Sequence, residues 1–234
     1  MPLRLDVDLT ESQKHELSAI PRTSWFTEVA WNNATSPLHP NQSWLSVNNA
    51  MKQSLVGSWI TDSVRGKRVL DLFSSNGAFS VLAALAGARE VAGVELSPER
   101  VECARFLAGT LPTECRVTFR QGDVYEIARY FDEPFDVTLC FGGLYHVPDP
   151  AFVLRQARAL TRERLLMQTA RVLSLPGNWA KFVGGESSTW HCTPGCIRRV
   201  LAGAGLEVLE ERRPPWWKRR RFPWYAALCA PSAG

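Results

Sequence analysis

The chain has 234 residues, is 45% apolar and carries a formal net charge of +4 at pH 7. This size and composition suit one domain with an appendage and exclude an intrinsically disordered protein. No apolar stretch reaches the length of a membrane span, and the amino-terminal residues lack the apolar segment of a secretion signal. We therefore expect a soluble, cytoplasmic protein, monomeric or homodimeric, with no membrane partner.

Residues 1–64 precede the first predicted strand and are rich in Ser, Asn, Pro and Trp. We interpret them as a cap or lid, with a helix around Leu45–Thr61. Aromatic side chains in a lid give a large contact area at low entropic cost, so they would either form the wall of a small-molecule pocket or anchor the lid to the domain. The candidates for the wall are Trp25, Phe26, Trp31, Trp44 and Trp190.

The stretch from Arg68 to Leu96 has the pattern of a strand, a turn, a helix and a second strand. Val69–Phe73 is an apolar run that ends in a polar turn at Gly77, and apolar residues then recur at helical spacing as far as Gly87. Val91–Glu95 is the next strand. A unit of this length makes a right-handed crossover between parallel strands, and ligands bind at the carboxyl ends of such strands.

The rest of the chain continues this alternation, with helix starts at Ser97-Pro98, Asp149-Pro150 and Thr193-Pro194. No helix is predicted between the last two strands, which indicates an antiparallel hairpin. The sequence thus predicts an α/β fold, a Rossmann-like seven-stranded sheet with its last strand antiparallel, helices on both faces, a cap at 1–64 and a main domain at 65–234. The further predicted strands are Arg116–Arg120, Phe135–Phe141, Arg164–Val172, Leu206–Glu211 and Trp224–Ala230.

Acidic residues at the strand ends indicate the kind of ligand. A dinucleotide needs several glycines where its pyrophosphate meets the backbone, but this turn has one glycine and an acid, Asp71, at its entrance, which disfavours an NAD-dependent enzyme. S-adenosylmethionine has no phosphate, its cationic groups suit a carboxylate, and its ribose diol suits Glu95. Asp123 would accept from the adenine amine while Val124 packs on the ring. Alternatively, these acids only cap turns and helices.

The turn resembles motif I of class I S-adenosylmethionine-dependent methyltransferases, an acid followed by three alternating glycines, of which this chain keeps only Gly77. The resemblance implies S-adenosylmethionine as cofactor and S-adenosylhomocysteine as product. The predicted cofactor-binding residues are Asp71, Phe73, Ser75, Gly77, Glu95, Leu96, Asp123, Val124, Phe141 and Gly142.

The segment from Phe135 to Pro150 carries a second resemblance. Its stretch Gly142-Gly143-Leu144-Tyr145-His146 is similar to the strand-four signature of the family that includes the tRNA wobble-uridine carboxymethyl transferases. Looser matches are Ser24–Phe26, Trp190 ahead of Thr193-Pro194, and Ala202–Glu210. In that family a tyrosine, here Tyr145, and a cationic residue hold a carboxylated S-adenosylmethionine. We identify no counterpart of the cationic residue in the sequence, so ordinary methyl transfer is the preferred interpretation.

His146 and Tyr145 are the predicted catalytic residues. Methyl transfer is an in-line displacement that needs alignment and exclusion of water, and a protonated oxygen or nitrogen also needs a base whose pKa is near neutral. Histidine meets that need without a large pKa shift. Alternatively, His146 fixes the loop after the fourth strand through a hydrogen bond to the backbone.

Positive charge is concentrated in the segment Arg212–Arg221, where six of ten residues are Lys or Arg. Tryptophans lie among these cations, as expected of a surface that binds single-stranded RNA, such as a tRNA loop. The alternative is a solvated hairpin tip whose tryptophans cover the edge of the sheet.

The cysteines do not have the paired spacing of a metal site. His191, Cys192 and Cys196 form the closest group, but these three candidates lack a second pair. We therefore expect reduced thiols and no bound metal. The six cysteines are Cys103, Cys115, Cys140, Cys192, Cys196 and Cys229.

Together these features predict an S-adenosylmethionine-dependent methyltransferase that acts on an oxygen or nitrogen of a small-molecule acceptor. One alternative is a tRNA wobble-uridine modifying enzyme. The other is a non-catalytic binding module on a decayed methyltransferase fold, which the two missing glycines suggest.

Overall fold

The computed structural model describes residues 2–172, 177–184, 189–221 and 223–232. Helices and strands alternate along most of this length. In chain order they are β1 Leu3–Arg4, α1 Glu11–Ala19, β2 Val29–Ala30, α2 Gln42–Ser63, β3 Arg68–Leu72, α3 Ala78–Leu85, β4 Glu90–Glu95, α4 Pro98–Gly109, β5 Arg116–Gln121, β6 Phe135–Phe141, α5 Pro150–Ala159, β7 Thr161–Ala170, β8 Ala180–Val183, β9 Thr189–Cys192, α6 Pro194–Gly203, β10 Leu206–Arg212 and β11 Trp224–Pro231. Short 3-10 helices cover Arg22–Ser24, Val124–Arg129, Leu144–His146 and Trp216–Lys218.

Seven of these strands form one sheet in the order β10-β11-β7-β6-β3-β4-β5. β11 is antiparallel to both of its neighbours, whereas the pairs among β7, β6, β3, β4 and β5 are parallel. This arrangement confirms the predicted fold. The strand order reverses between β3 and β6, so the carboxyl ends of these two strands flank the crevice where sheets of this type bind ligands.

Helices cover both faces of the sheet. On one face, α5 and α6 pack against a core that includes Leu70, Leu72 and Leu154. On the other face, α2 and α3 pack against a core that includes Val69 and Leu139. Because strand side chains alternate between faces, neighbouring residues of β3 serve opposite cores. Full burial of such a side chain contributes roughly 1.5–3 kcal/mol.

The predicted cap at 1–64 consists of two parts. α2 is longer than the predicted helix at 45–61, and its residues Leu55, Val56 and Ile60 share a core with the sheet, so this helix is part of a helical layer. The residues before α2 instead form a cluster with α3 and α4 around the buried Trp25. The division into a cap and a main domain at residue 64 stays a prediction.

The strand boundaries agree closely with the prediction except in β7. This strand was expected at Arg164–Val172 but runs from Thr161 to Ala170. Its first four residues are Thr, Arg, Glu and Arg, and three of them are exposed, so no apolar pattern marks the start of the strand. Backbone pairing with β6 nevertheless extends to Thr161 opposite Phe135, past a register shift in β6.

The predicted helix starts are confirmed. The Ser97 hydroxyl accepts from the backbone N–H of Arg100 at 3.3 Å, and the Asp149 carboxylate accepts from that of Phe152 at 2.9 Å. These are N-caps, and each is followed by a proline at the first helical position. None of the helices in the described ranges is long and apolar enough to cross a membrane.

Candidate active site

The turn after β3 is left-handed at the three positions where motif I has glycines, although only one of the three is a glycine in this chain. Phe73 has φ 60°, Ser75 has φ 51° and Gly77 has φ 78°, so alternate residues are left-handed. A non-glycine residue in this region costs roughly 1–2 kcal/mol. Gly77 is required for a second reason, because a Cβ there would lie 2.8 Å from Cζ of Phe119. Phe73 and Ser75 thus adopt the left-handed conformation that favours glycine.

The Phe73 side chain packs on the turn that follows β6. A Cβ on Gly143 would lie only 2.0 Å from Cγ of Phe73, so the ring lies directly against the Gly143 backbone. This contact joins the two turns on either side of the crevice and helps to offset the backbone strain at Phe73. Phe73 was predicted as a cofactor contact, and in the structure its ring is partly buried against the core.

Glu95 is the carboxylate at the end of β4. It is 7% exposed, and its two oxygens accept from the backbone N–H of Ser75 at 2.9 Å and of Ser97 at 3.0 Å. Arg100 approaches to 3.6 Å. Each carboxylate oxygen retains a lone pair, so the group can also accept from a ribose diol. The next residue, Leu96, is 67% exposed, which suits an apolar contact with a ligand.

Asp123 is exposed at the end of β5. Its carboxylate accepts from the backbone N–H of Tyr125 at 2.9 Å, and its own N–H donates to the Tyr130 hydroxyl at 3.0 Å. Asp123 therefore caps the 3-10 helix that begins at Val124, as the alternative interpretation held, and it also remains accessible to a ligand. Val124 is buried.

Asp71 does not lie on the ligand surface. It is 1% exposed, and the Ser80 hydroxyl of α3 donates to its carboxylate at 2.6 Å. Burial raises the pKa of Asp71 to about 7, with the hydrogen bond from Ser80 opposing the shift and the charge of Glu95 adding to it. The predicted contact between Asp71 and the cationic groups of the cofactor is thus replaced by a buried link between β3 and α3.

Phe141 also differs from its predicted role as a cofactor contact. Its buried ring packs edge to face on Phe79 of α3, with the centroids 4.8 Å apart, because the last residue of β6 points to the α2 and α3 side of the sheet. The neighbouring Gly142 lies in the crevice turn with φ 73°.

Tyr145 and His146 lie on the 3-10 helix that follows this turn. Their rings are 4.2 Å apart, and the Tyr145 ring is 5.9 Å from that of Trp224. Burial raises the pKa of Tyr145 to about 12. The pKa of His146 is lowered by burial and then by the charges of Lys52, Arg100 and His191. In the described part of the chain the His146 imidazole makes no hydrogen bond, and only its backbone N–H is bonded, to Gly143.

Two residues that the sequence analysis missed, Lys52 and Gln168, lie near Gly142. Nζ of Lys52, from α2, lies 2.9 Å from the position that a Cβ on Gly142 would take, and 5.0 Å from the centroid of the Trp224 ring. The Gln168 amide, from β7, is fully buried near the same point. A polar residue within the apolar run of β7, and a lysine on the inner side of a predicted helix, were the signals that could have found them.

The aromatic candidates divide into two groups. Trp25 and Trp31 are buried on Phe106 of α4, and Nε1 of Trp31 donates to Thr110 beyond the far end of that helix at 3.0 Å. They do not line the crevice, because α4 begins at the carboxyl end of β4 and runs away from it. The prediction of a pocket wall is wrong for these two residues, and they anchor the amino-terminal segment.

The other aromatic candidates lie closer to the site or in solvent. Phe26 packs under Arg100 at 4.3 Å, and the carbonyl of the next residue, Thr27, accepts from the Asn76 amide at 3.0 Å, so this segment crosses the turn after β3. Trp190 lies beside Tyr145. Trp44 is exposed on α2.

A small apolar pocket adjoins Tyr145 between α5, α6 and β9. Its lining residues include Leu144, Tyr145, Thr169, Trp190, Cys192 and Ile197. All six cysteines lie in described parts of the chain and are free. Across those parts no group of three or more His, Cys, Asp or Glu side chains is arranged to hold a metal ion.

A sheet in this strand order, with its last strand antiparallel and with a left-handed turn and a carboxylate at its switch point, has the Rossmann-like architecture of class I methyltransferases. Residues 63–194, more than half of the chain, match the family model described as "Methyltransferase domain", and the chain belongs to this family.

Relatives and solved structures agree with this assignment. The chain is 31% identical over 201 residues to the ubiquinone biosynthesis O-methyltransferase of Bordetella pertussis, covering 85% of this chain and 68% of that protein. The fold is similar to magnesium protoporphyrin IX methyltransferase from Synechocystis PCC 6803 with bound SAH, with TM-score 0.69, 17% identity and coverage of 94% and 95% of the two chains. It is also similar to the N-terminal domain of EvdMO1 with SAH bound, with TM-score 0.67, 20% identity and coverage of 98% of each chain.

Proposed function

We propose that this methyltransferase transfers a methyl group from S-adenosylmethionine to an oxygen of a small-molecule acceptor. The observation that carries the proposal is the pairing of the left-handed turn after β3 with the Glu95 carboxylate at the end of β4. This turn lets backbone approach the cofactor closely, and Glu95 offers a bidentate acceptor for its ribose. Leu96 and Asp123 would contact the adenine, one on its face and one at its amine.

The bound cofactor would supply a methyl group that is already activated, so the work of the protein is alignment, exclusion of water and removal of a proton. His146 would accept the proton of the acceptor hydroxyl. Its lowered pKa favours the neutral imidazole at neutral pH, which is the form that accepts a proton. Tyr145 keeps its proton because its pKa is raised, so it would donate a hydrogen bond and orient the acceptor.

Oxygen is favoured over nitrogen as the acceptor atom by the names of the relatives, which are O-methyltransferases in ubiquinone biosynthesis. The apolar pocket beside Tyr145 and Trp190 would hold the non-polar part of the acceptor. A small, partly aromatic alcohol or phenol fits this surface best.

Calorimetry with S-adenosylhomocysteine tests the cofactor, with NAD as a comparison ligand. We expect micromolar binding of S-adenosylhomocysteine and none of NAD. No binding of S-adenosylhomocysteine at millimolar concentration would exclude both enzyme interpretations and favour a non-catalytic binding module. Formation of S-adenosylhomocysteine from S-adenosylmethionine and a set of phenols, with catechol as the first member, then tests the acceptor class.

A second candidate acceptor is tRNA, which is favoured by the exposed side chains of Trp216 and Trp217, 75% and 66% accessible, on the tip between β10 and β11. However, Arg212 and Arg213 at the base of this tip are already paired with Glu210 and Glu211. Fewer cations therefore face solvent than the sequence suggests. Salt-sensitive binding of unmodified tRNA in fluorescence anisotropy, lost in Trp217→Ala, would favour this candidate over a small molecule.

A further inference from the structure

Lys52 is a partly buried cation that forms no salt bridge with any described residue. Its Nζ lies at the turn after β6, near the Gly142 backbone, and over the Trp224 ring. Burial alone lowers the pKa of Lys52 to about 8, with no charge of opposite sign contributing. In the described ranges no carboxylate oxygen lies within 4 Å of Nζ, so a predominantly protonated amine at pH 7 has no counter-ion there.

Gln168 lies beside this lysine with its hydrogen-bonding groups unused. The side chain is fully buried, and neither Oε1 nor Nε2 has a partner among the residues that the structure describes. A Cβ placed on Gly142 would lie 3.9 Å from Oε1 of Gln168 and 2.9 Å from Nζ of Lys52. The Lys52 ammonium and the unpartnered Gln168 amide, from different elements, thus lie close to one small region. An unpaired charge and an unsatisfied amide are both costly in a protein interior, and a ligand that satisfies them removes the cost.

Nearby polar groups do not supply the missing partner. Oδ1 of the Asn48 side chain, one turn before Lys52 on α2, accepts from Trp224 Nε1 at 2.8 Å. The positive charge of Lys52 contributes to lowering the pKa of His146. The surroundings of Lys52 are therefore neutral or positive, and the sulfonium of S-adenosylmethionine would add another positive charge at this end of the sheet.

We infer that Lys52 and Gln168 form a carboxylate-binding subsite, so that the acceptor of the methyl group is an organic anion. One carboxylate oxygen would accept from Lys52 Nζ and the other from Gln168 Nε2, which satisfies both groups at once. The anion would also separate the lysine from the cationic cofactor. The inference rests on the proposed function, because it is the methyl-transfer reaction that brings an acceptor to the turn at Gly142.

The experiment compares two sources of the carboxylate, the acceptor and the methionine part of the cofactor itself. Calorimetry separates them with two cofactor ligands, S-adenosylhomocysteine, which carries that carboxylate, and 5′-methylthioadenosine, which lacks it. Benzoate and benzamide, titrated into the protein saturated with S-adenosylhomocysteine, serve as the acceptor probes because they have the same shape and differ in charge.

The variants are Lys52→Met, which keeps the length of the side chain, and Gln168→Met, with Lys14→Met on the surface helix α1 as a matched control. We expect benzoate to bind the wild type at least tenfold more tightly than benzamide. Lys52→Met should lose that preference, Gln168→Met should reduce it severalfold, and Lys14→Met should keep it. Affinity for S-adenosylhomocysteine should stay within twofold in all three variants, and thermal melting checks that each is folded.

Three results would overturn the inference. These are equal or undetectable binding of benzoate and benzamide to the wild type, an unchanged benzoate preference in Lys52→Met, and a loss of affinity in Lys52→Met for S-adenosylhomocysteine but not for 5′-methylthioadenosine. The last result would assign Lys52 to the cofactor. If the wild type binds no S-adenosylhomocysteine, the proposed function fails, and the ratio of benzoate to benzamide affinity in the protein alone decides only whether Lys52 and Gln168 bind a carboxylate.

Discussion

The two halves of the site are built in opposite ways. The proposed cofactor half comes from consecutive elements, β3 to β5, and presents the carboxylates of Glu95 and Asp123, each of which accepts from a backbone N–H group. The proposed acceptor half is assembled from α2, β7, β11 and the turn after β6, and presents the cation Lys52 with aromatic rings. Under our proposals the negative end would hold the sulfonium cofactor, and the positive end would select the acceptor of the methyl group.

Replacement of His146 with Ala should have the largest effect and should act on the acceptor half only. Loss of a general base lowers turnover by roughly 100- to 10,000-fold. We expect kcat to fall in this range while affinity for S-adenosylhomocysteine stays within twofold, and His15→Ala on α1 should change neither. Unchanged kcat would assign His146 a structural role.

The pH profile gives a second measurement of the same residue. A histidine base is active when neutral, so kcat/KM should fall as pH drops through its pKa. Because burial and the charge of Lys52 lower the pKa of His146 below 6.5, the acidic limb should lie below pH 6.5. The limb should disappear in His146→Ala, and a limb that persists unchanged would belong to another group.

Replacement of Glu95 with Ala should have the next largest effect and should act on the cofactor half. The change removes the acceptor for the ribose diol and leaves the N–H groups of Ser75 and Ser97 without partners. At roughly 1.5–3 kcal/mol for a hydrogen bond to a charged group, affinity for S-adenosylhomocysteine should fall about 100-fold. Calorimetry on this variant and on Glu102→Ala, an exposed control in α4, checks it. Comparable affinities in the two variants would contradict the assignment.

Replacement of Asp71 with Asn should change stability without affecting the cofactor. The pKa of Asp71 is about 7 when folded against an ordinary value of 3.8, so the folded protein binds a proton that the unfolded chain releases. Its contribution to the free energy of unfolding is complete below pH 3.8 and is lost as pH rises through about 7.

Urea unfolding at pH 5 and pH 8 measures this contribution. We expect the loss of stability between these pH values to be about 1–3 kcal/mol smaller in Asp71→Asn than in the wild type. Asp8→Asn, at an exposed position, should behave like the wild type. Affinity for S-adenosylhomocysteine should stay within threefold in Asp71→Asn. A larger loss would mean that Asp71 contacts the cofactor after all.

The two halves also differ in how far the sequence predicts them. The run from Arg68 to Glu95 identifies the strands, the turn and the carboxylate that we propose for the ribose, because these elements follow one another and each has a local pattern. The neighbourhood of Lys52 and Gln168 is not predictable in this way. These residues are 116 positions apart in the numbering and meet only through the packing of α2 on β7.

The direction in which individual side chains of the cofactor half point is also not predictable from local sequence patterns. Asp71 and Phe141 occupy the strand ends that the prediction requires, yet both face α3. Which side of a strand end points to the ligand depends on the helix that packs there. Similarly, Trp25 and Trp31 carry no local signal that separates a pocket wall from an anchor on α4.

Replacement of Ser75 with Gly should have the smallest effect and measures the backbone strain in the turn after β3. Ser75 is left-handed, and relief of roughly 1–2 kcal/mol of strain is partly offset by the extra freedom that glycine gives the unfolded chain, about 0.5–1 kcal/mol. We expect a net gain of about 0.5 kcal/mol in urea unfolding, with the N–H bond to Glu95 kept because it is a backbone bond. Ser18→Gly, in the helix α1, should lose about 0.5–1 kcal/mol instead. Equal losses in the two variants would mean that Ser75 is not strained and that the missing glycine has been replaced without cost.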